Sequence, residues 1–318
     1  MLDVSRLSIS EIQQKYLIEK LPLTPAVLRQ LRKDPRQGVR QLHRRLQQTR
    51  DAGKAESQRV EKLLYFERLL WKSGLQFVAG VDEVGVGPLA GPVVAAAVMF
   101  PPDVFIAGID DSKKLDADTR KRLAGEINRH ALAVHVAEVP IEEIDSLNIY
   151  HASVKAMRIA LEQLPIAPQH VLVDARDIPG VACPQNKFNK GDGLCFSIAA
   201  ASILAKTHRD QLMERLDGVY PGYGFASHKG YCTREHQDAL ARLGPCPIHR
   251  KSFLFINEVC GEFSPFFYQV KDRIAGAVTA RQLAEEEASL GAFEDQFSEY
   301  ERRKLRALIN RTWNKFEH

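Results

Sequence analysis

The segment at residues 77–92 reads FVAGVDEVGVGPLAGP, and it decides the fold of the chain. An apolar, strand-like run leads into two adjacent carboxylates, Asp82 and Glu83, and then into a turn paced by glycines. Apolar strands that end in polar residues and glycine are typical of a buried sheet with a polar site at its edge. A pair of acids at that edge indicates a metal site, and capping of a following helix is the alternative.

Strand and helix patterns alternate after this segment, which is typical of an α/β domain. The connection at residues 85–91 is too short for a crossover helix, so the first two strands should pair antiparallel and the sheet should be mixed. The strand-like runs lie at residues 77–81, 93–100, 131–139 and 171–173, and the helical patterns lie at residues 117–128, 153–164 and 198–216.

The composition is that of an ordinary globular protein, with 318 residues of which 45% are hydrophobic and 26% are charged. The sequence has neither an apolar run long enough to span a membrane nor a secretory signal, so we expect a cytoplasmic protein without membrane contact. Its 5 cysteines are an odd number without CxxC spacing, which favours reduced thiols over disulfides or a structural zinc site.

The basic residues are concentrated near the N-terminus. Residues 1–72 contain 16 Lys and Arg against 8 Asp and Glu, whereas residues 73–257 contain 19 against 21 and residues 258–318 contain 9 against 11. Leucines recur at helical spacing among the N-terminal basic residues, which predicts short amphipathic helices with a cationic face. Such a face suits a nucleic-acid backbone, and a merely solvated face is the alternative. We therefore predict a basic helical extension (1–72), an α/β core domain (73–257) and a helical C-terminal extension (258–318).

Four acidic residues lie at the ends of predicted elements. Asp82 and Glu83 end the first strand, Asp174 ends the run at residues 171–173, and Asp192 precedes a helix that opens near residue 197. Carboxylates without histidine or cysteine form a hard-oxygen site that suits Mg²⁺ or Mn²⁺. Each acid could instead be a cap or turn residue.

Two further points bear on this site. Successive strand residues face opposite sides, so Asp82 and Glu83 can share a site only if the backbone turns there, which Gly85 and Gly87 would allow. Asp210 is a rival fourth ligand, but it lies thirteen residues into the helix, about 20 Å along the axis. We interpret Asp210 as a partner of a neighbouring arginine.

Further blocks accompany the acidic pair in a fixed order, and with them the chain resembles bacterial ribonuclease HII, the type 2 ribonuclease H, over about residues 75–256. Besides AGVDE (79–83) and GPLAGPVVA (87–95), the matching blocks are DSKKL (111–115), IDSLNI (144–149), KGD (190–192), SIAAASILAK (197–206), YPGYGF (220–225), HKGY (228–231) and PIHRKSF (247–253).

This resemblance implies a ribonuclease H-like mixed sheet flanked by helices and two divalent cations, Mn²⁺ or Mg²⁺. It also implies cleavage of the RNA strand of RNA–DNA hybrids and incision 5′ of ribonucleotides embedded in duplex DNA, leaving a 3′-hydroxyl and a 5′-phosphate. The catalytic, metal-binding acids carry over to Asp82, Glu83, Asp174 and Asp192. We expect Asp82 to be shared between the two cations and the protein to act as a monomer.

The chain departs from the family in one substrate-binding turn. Gly85-Val86-Gly87 has valine where the family has arginine, so backbone contacts should survive while a cationic side chain is lost. Tyr231 matches the family tyrosine that contacts the sugar near the 2′-hydroxyl. The remaining predicted phosphate contacts, each of which could instead be solvated or structural, are Lys190, Lys206, Lys229, His249 and Arg250.

The flanking sections resemble the family less. Residues 1–70 look like the basic extension of some members, so we expect their removal to raise KM more than it lowers kcat, and residues 261–318 carry no functional assignment. Two other functions stay open: a related nuclease, such as a type 3 ribonuclease H or an endonuclease for deaminated bases, and a non-catalytic hybrid-binding protein.

Overall fold

A computed structural model of the chain describes residues 4–260, 263–293, 296–297 and 299–316. The strands are β1 (Val78–Val84), β2 (Val93–Met99), β3 (Ala133–Val139), β4 (His170–Asp174) and β5 (Gln185–Phe188). The α-helices are α1 (Ile9–Gln13), α2 (Pro25–Lys33), α3 (Gln37–Leu63), α4 (Tyr65–Lys72), α5 (Ala117–His130), α6 (Ile141–Leu147), α7 (Ile149–Glu162), α8 (Phe196–Val219), α9 (Phe225–His228), α10 (Arg234–Leu243), α11 (Leu254–Cys260), α12 (Pro265–Gly276), α13 (Ala280–Ala292) and α14 (Glu299–Trp313).

Within the described residues the strands form one five-stranded sheet in the order β3-β2-β1-β4-β5. Strand β4 pairs in parallel with both β1 and β5, and Val81 lies opposite Val173 in the β1–β4 register. The predicted α/β class, a mixed sheet flanked by helices with helical extensions, is confirmed. Strand β5 was not predicted, because its sequence QNKF has no apolar alternation.

Burial explains why the predicted strands form. Every residue of β2 is buried, as expected for an apolar strand covered on both faces. Gly80 in β1 faces the first turn of α8 so closely that an added Cβ would lie 2.2 Å from the carbonyl carbon of Ser197. Only glycine allows this contact, so the sequence at Gly80 fixes the distance between the central strand and the helix.

The chain divides into two compact units. The first unit comprises residues up to 83, residues 95–136 and residues 157–207. Its N-terminal helices share a core in which Leu31, Val39 and Leu46 are buried. A second cluster of this unit includes Val78 and Leu172 of the sheet together with residues of α4 and the start of α8. Helix α4 is therefore part of the packing that supports the sheet.

The second unit comprises residues 84–94, residues 137–156 and the chain from residue 208 onward. One of its clusters gathers Phe225, Leu240 and Ile256 with neighbouring apolar residues. Another unites α12, α13 and α14, with Phe267 and Leu305 buried in it. The predicted helices of the C-terminal section thus form a small core of their own.

The N-terminal section has the predicted amphipathic character. Leu31, Leu42 and Leu46 are buried, whereas Arg32 and Arg44 are exposed. Helix α3 runs for 27 residues, so it is longer than the short helices that we expected.

The cysteines agree with the predicted thiols where their side chains are described. Cys183, Cys195, Cys232 and Cys246 are free, and the side chain of Cys260 lies outside the described residues. Among the described residues, no helix has the length and hydrophobicity needed to cross a membrane.

Candidate active site

The two acids of the opening motif lie inside β1. Asp82 is buried and Glu83 is half-buried, and the backbone N–H of Glu83 donates to Oδ1 of Asp82 at 2.8 Å. The backbone does not turn between them, as we had thought necessary, because the strand continues to Val84 and the positive φ of 94° occurs at Gly85. Both carboxylates nevertheless interact with Asp174.

Asp174 ends β4, beside β1. The parallel register pairs Val81 with Val173, so Asp82 and Asp174 come next on the two neighbouring strands. Oδ1 of Asp174 accepts a hydrogen bond from the backbone N–H of Gly191 at 2.6 Å. This bond ties the end of β4 to the loop that carries the fourth predicted acid.

That fourth acid, Asp192, is buried in a single 3₁₀ turn, Gly191–Gly193. Lys190, which precedes the turn, adopts the left-handed conformation with φ of 60°. A Cβ on Gly191 would lie 2.6 Å from Cδ1 of Ile198 and 3.3 Å from Oδ1 of Asp174, so a larger residue there would displace the Ile198 side chain and crowd Asp174. Asp192 therefore lies where the sequence predicted it, just before α8.

The electrostatics link all four acids. Burial, then the charges of Glu83 and Asp174, raise the pKa of Asp82 well above its usual value. Burial also raises the pKa of Glu83 and of Asp192, and the charge of Asp174 raises both further. Raised pKa values are expected for carboxylates that lie near other carboxylates in one low-dielectric region.

Two cations oppose this repulsion. The guanidinium of Arg176 lies 3.5 Å from Oε1 of Glu83, and Nζ of Lys113 lies 4.0 Å from Oδ2 of Asp192. The side chain of Lys113 is 82% exposed, so its ammonium group can move without disturbing the core. Neither residue was singled out from the sequence, since nothing in the local pattern shows that DSKKL folds toward the acids.

Buried hydroxyls form a second feature that sequence reasoning missed. The side chain of Ser202, in α8, hydrogen-bonds to Asp82. Its Oγ lies 2.9 Å from Oγ of Ser112, and both serines are buried. The DSKKL segment is thereby connected to the central acid through hydroxyl groups.

The four acids offer the donor type that a hard divalent cation requires. All their ligand atoms are carboxylate oxygens, and Oε2 of Glu83 is buried without a hydrogen-bond partner in the described part of the chain. Among the described residues, however, no three His, Cys, Asp or Glu side chains are grouped closely enough to hold a metal ion as they stand. The donor chemistry and the electrostatic coupling, rather than a formed ligand cluster, are compatible with metal binding.

The second unit contains the loop at residues 85–92, which is held by a buried arginine. Arg250 is fully buried, and burial lowers the pKa of its guanidinium to about 9. We had predicted Arg250 as a phosphate contact, but its donors serve the backbone instead. They bond to the carbonyl oxygens of Gly85 at 2.6 Å, Val86 at 3.1 Å, Gly91 at 2.8 and 2.9 Å, and Pro92 at 3.3 Å.

Arg209 supports the same loop and is also fully buried. Its guanidinium donates to the carbonyl oxygens of Pro92, Ala90 and Lys229, each at 3.0 Å. Burial lowers the pKa of Arg209 to about 10, and interactions with Tyr231 and Asp210 oppose this shift. The pairing of Asp210 with an arginine stays a prediction. The role of Arg209 could not be predicted from the sequence, because two of the three carbonyl groups that it contacts, those of Pro92 and Ala90, are more than a hundred residues away in the chain.

Tyr231 lies beside this loop. A Cβ on Gly87 would be 3.8 Å from Cε1 of Tyr231, and the tyrosine is 42% exposed. The backbone carbonyl of Tyr231 lies 2.9 Å from Nδ1 of His236, so a buried side chain fixes the position of its backbone. Tyr231 thus presents an accessible ring on a fixed main chain.

A chain of buried imidazoles underlies Tyr231. Nε2 of His236 lies 3.0 Å from Nε2 of His249, and Nδ1 of His249 accepts from the backbone N–H of Cys246 at 2.9 Å. These partners require His249 to carry its proton on Nε2 and His236 on Nδ1. Burial, reinforced by the neighbouring histidines, lowers the pKa of both to about 4, so both are neutral at pH 7. His249, predicted to contact phosphate, is therefore buried and uncharged.

The predicted lysines differ in their surroundings. Lys190 is exposed, and Lys206 is half-buried and engaged in contacts within the protein. Nζ of Lys229 donates to Oε1 of Glu214 at 2.7 Å and to the carbonyl oxygen of Ala226 at 2.6 Å. Lys190 is the most accessible of these three for a phosphate.

Comparison with known proteins gives a consistent result. Residues 79–256 match the family described as Ribonuclease HII, and residues 8–71 match the Ribonuclease HII N-terminal domain. The chain is 50% identical to a ribonuclease HII of Anaeromyxobacter sp. (strain Fw109-5) over 259 residues, which cover 81% of this chain and 82% of that protein. It is 49% identical to a ribonuclease HII of Myxococcus xanthus (strain DK1622), with 80% and 87% of the two chains covered.

A solved structure is similar as well. The ribonuclease H2 of Pyrococcus horikoshii OT3 superposes with a TM-score of 0.50 and 25% sequence identity. The match covers 58% of this chain and 97% of that one, and it confirms the predicted ribonuclease H-like fold. The extra residues of this chain account for the difference in coverage.

Proposed function

The chain belongs to the ribonuclease HII family of ribonuclease H endonucleases, which act on RNA–DNA hybrids, and we propose that it also incises duplex DNA 5′ of single embedded ribonucleotides. The observation that carries this proposal is the placement of the acids: Asp82 and Asp174 lie at neighbouring positions of β1 and β4, and the Gly191 N–H bonds to Asp174 next to Asp192. The products would carry a 3′-hydroxyl and a 5′-phosphate.

We assign these same four acids as ligands of two divalent cations, Mn²⁺ or Mg²⁺. When bound, the cations would supply the positive charge that activates a water molecule and stabilises the departing 3′ oxygen. The buried, partnerless Oε2 of Glu83 supports this assignment, because a buried carboxylate oxygen without a partner is costly.

The protein side chains around the acids would orient them. The Glu83 N–H and the Ser202 hydroxyl hold Asp82, while the Gly191 N–H holds Asp174. Lys113 reaches Asp192 from solvent, so we assign its ammonium group to the scissile phosphate. A mobile lysine there would offset the charge of the phosphate as the strand enters the site.

Substrate selection requires recognition of one 2′-hydroxyl, which both donates and accepts hydrogen bonds. We assign this role to Tyr231 and to the backbone of Gly85, Val86 and Gly87. Arg250 and Arg209 draw the loop carbonyls inward, which favours presentation of the loop's N–H groups to a ligand. In this proposal Arg250 and His249 position the loop and do not contact phosphate, while Lys190 does.

The basic N-terminal helices would add affinity for the duplex. Exposed side chains such as Arg32, Arg40 and Arg44 lie on α2 and α3, opposite their buried apolar faces. Phosphate contacts of this type are independent of base sequence and weaken with salt. We place the substrate duplex, rather than a membrane or a protein, against this surface and expect a monomer to suffice.

One gel assay tests the proposed function. The full chain is incubated with Mg²⁺ or Mn²⁺ and end-labelled duplexes that contain one ribonucleotide, four ribonucleotides, or one inosine. We expect incision of both ribonucleotide duplexes, none of the inosine duplex, and no incision in the presence of EDTA. Cleavage of the four-ribonucleotide duplex alone would exclude recognition of single ribonucleotides, and metal-independent cleavage would exclude the role of the acids.

A further inference from the structure

Helix α4 belongs to the N-terminal section, yet one of its side chains is buried against the start of α8. Glu67 is 1% exposed. Its Oε1 accepts two hydrogen bonds from Ser197, one from the backbone N–H at 2.8 Å and one from Oγ at 2.7 Å. The two residues are 130 positions apart in the chain, so this contact joins the N-terminal section to the catalytic fold.

This contact supplies what α8 lacks in its own sequence. The first N–H groups of a helix have no partner within the helix, and Ser, Thr, Asp or Asn before the first turn normally accepts from them. The residue before Phe196 is Cys195, a poor cap. Glu67 takes that place from another helix, and its Oε1 lies at the positive end of the helix dipole. Burial raises the pKa of this carboxyl group, while the hydrogen bonds from Ser197 oppose that shift.

The first turn of α8 is connected directly to the acids. The N–H of Cys195 donates to the carbonyl oxygen of Gly191 at 2.8 Å, and the N–H of Gly191 donates to Asp174 at 2.6 Å. Asp192 is the next residue along the chain. A shift in the first turn of α8 would therefore displace both Asp174 and Asp192.

We propose that Glu67 is a positioning residue of the catalytic site, which it acts on by fixing the N-terminus of α8. The N-terminal section would then contribute to metal binding and to the chemical step, not only to affinity for the duplex. This inference rests on the proposed function, because it assumes that Asp174 and Asp192 hold cations. It also replaces our expectation that removing residues 1–70 would chiefly raise KM, since that deletion removes Glu67.

A second set of hydrogen bonds joins the N-terminal section to a segment that lies near the acids. Oε1 of Glu56, in α3, accepts from the N–H of Gly108 at 2.7 Å, and Arg59 donates to the carbonyl oxygen of Ile109 at 2.7 Å. This segment leads into the DSKKL block with Lys113, whose ammonium group lies near Asp192. The N-terminal helices thus bond to two segments that lead to the acids, the start of α8 and residues 108–109.

The test compares Glu67→Ala and Glu67→Gln with the control Glu61→Ala in the full chain. Glu61 lies on α3 and pairs with Arg68, but its side chain is 60% exposed. Mn²⁺ binding is measured without substrate by isothermal titration, and kcat and KM are measured on a hybrid duplex. Thermal melts and circular dichroism establish that each variant is folded.

We expect Glu67→Ala to weaken Mn²⁺ binding by roughly tenfold or more, as loss of groups that orient metal ligands does. It should lower kcat more than it raises KM. Glu67→Gln keeps an acceptor oxygen and should show a smaller loss in the same direction, whereas Glu61→Ala should match the parent protein.

A folded Glu67→Ala protein with the parent Mn²⁺ affinity would overturn the inference. If Glu67→Ala does not fold, Glu67→Gln decides, and an unchanged Mn²⁺ affinity in that variant overturns it equally. Failure of the metal assignment on which this inference rests gives a different result, because the parent protein itself would then not bind Mn²⁺. Failure to incise at single ribonucleotides would leave Mn²⁺ binding by the parent protein unchanged.

Discussion

Arg250 donates a hydrogen bond from Nη1 to the backbone carbonyl of Val86 at 3.1 Å. A buried positive charge therefore lies next to Val86, whose own side chain is uncharged. The resemblance to the family led us to expect arginine at position 86, so this chain has a cation beside the turn but not the one expected on it. The two positions can therefore be tested separately.

Restoring the side-chain charge should strengthen substrate binding. In Val86→Arg we expect a lower KM for the ribonucleotide duplex and a steeper loss of binding with added salt, because one more phosphate contact releases about one more counterion. Binding is measured by fluorescence anisotropy with EDTA at several salt concentrations, and Val219→Arg, at an exposed valine, is the control. An unchanged salt slope in Val86→Arg would contradict the assignment of this turn to phosphate binding.

Removing the buried guanidinium should loosen the loop. Arg250→Lys keeps a charge but cannot bond to four carbonyls at once, so we expect the free energy of unfolding to fall by at least about 3 kcal/mol, given the cost of unsatisfied buried acceptors. Urea unfolding measures this loss. Arg242→Lys is the control, because Arg242 also donates to a carbonyl, that of Gly222 at 3.0 Å, but is exposed. Equal losses in both variants would refute the special role of Arg250.

Tyr231 can be separated into ring and hydroxyl. We expect Tyr231→Phe to lower kcat/KM for a single ribonucleotide by roughly threefold to tenfold, the worth of one hydrogen bond, while cleavage of longer hybrids changes less. Tyr231→Ala should reduce both, since it also removes the packing beside Gly87. Steady-state kinetics on the two substrates decide, with Tyr65→Phe, at an exposed tyrosine of α4, as the control. Identical losses in Phe and Ala variants would assign the whole effect to the hydroxyl.

The charge of Asp174 should be essential while its hydrogen bond is not. Asp174→Asn keeps Oδ1 to accept from Gly191, so the protein should fold, but kcat should drop by at least about a hundredfold because several kcal/mol of charge stabilisation are lost. Mn²⁺ titration should show weaker binding. The control is Asp177→Asn, at an exposed aspartate that pairs with Lys187. Retained activity in Asp174→Asn would remove this residue from the site.

The buried histidines predict a pH dependence of stability. The pKa of His236 falls from 6.5 to about 4 on burial, and that of His249 likewise. Between these values the unfolded chain takes up protons that the folded chain does not, so the folded state loses up to about 1.4 kcal/mol per pH unit for each histidine as the pH falls below 6.5.

Comparison with His236→Asn isolates this effect. The asparagine amide can still donate to the Tyr231 carbonyl, but it does not titrate. Urea unfolding at pH 7.5, 6 and 5 should show the stability advantage of the parent protein shrinking toward low pH. The buried carboxylates, whose raised pKa values act in the opposite sense, are common to both proteins and cancel. A constant difference across this range would contradict the neutral, buried state of His236.

The sequence predicted the architecture because its strands and helices have clear periodicity. The run at residues 93–100 became β2, and the helix expected near Ser197 begins at Phe196. The acids were found because each lies at the end of an element, a position visible in the sequence. Their assignment as metal ligands stays a prediction.

What the sequence could not show is which charged side chains turn inward. Arg250 and His249 lie in a polar block and looked like phosphate contacts, yet both are buried. Glu67 lies in an amphipathic helix where a glutamate is normally solvated, and its partner Ser197 is remote in sequence. Burial of a charge depends on partners that tertiary folding brings together, and no local pattern encodes them.

The contact between Gly80 and Ser197 has a consequence for how activity is lost on heating. Gly80 has no side chain, so the contact between β1 and the start of α8 cannot be relaxed gradually by changes of side-chain rotamer at this position. Asp82 follows Gly80 in β1, and the loop with Asp192 precedes Ser197 in the chain. We therefore expect the acids to separate in one cooperative unfolding event. Catalysis should then vanish abruptly at the melting temperature, without a gradual decline below it.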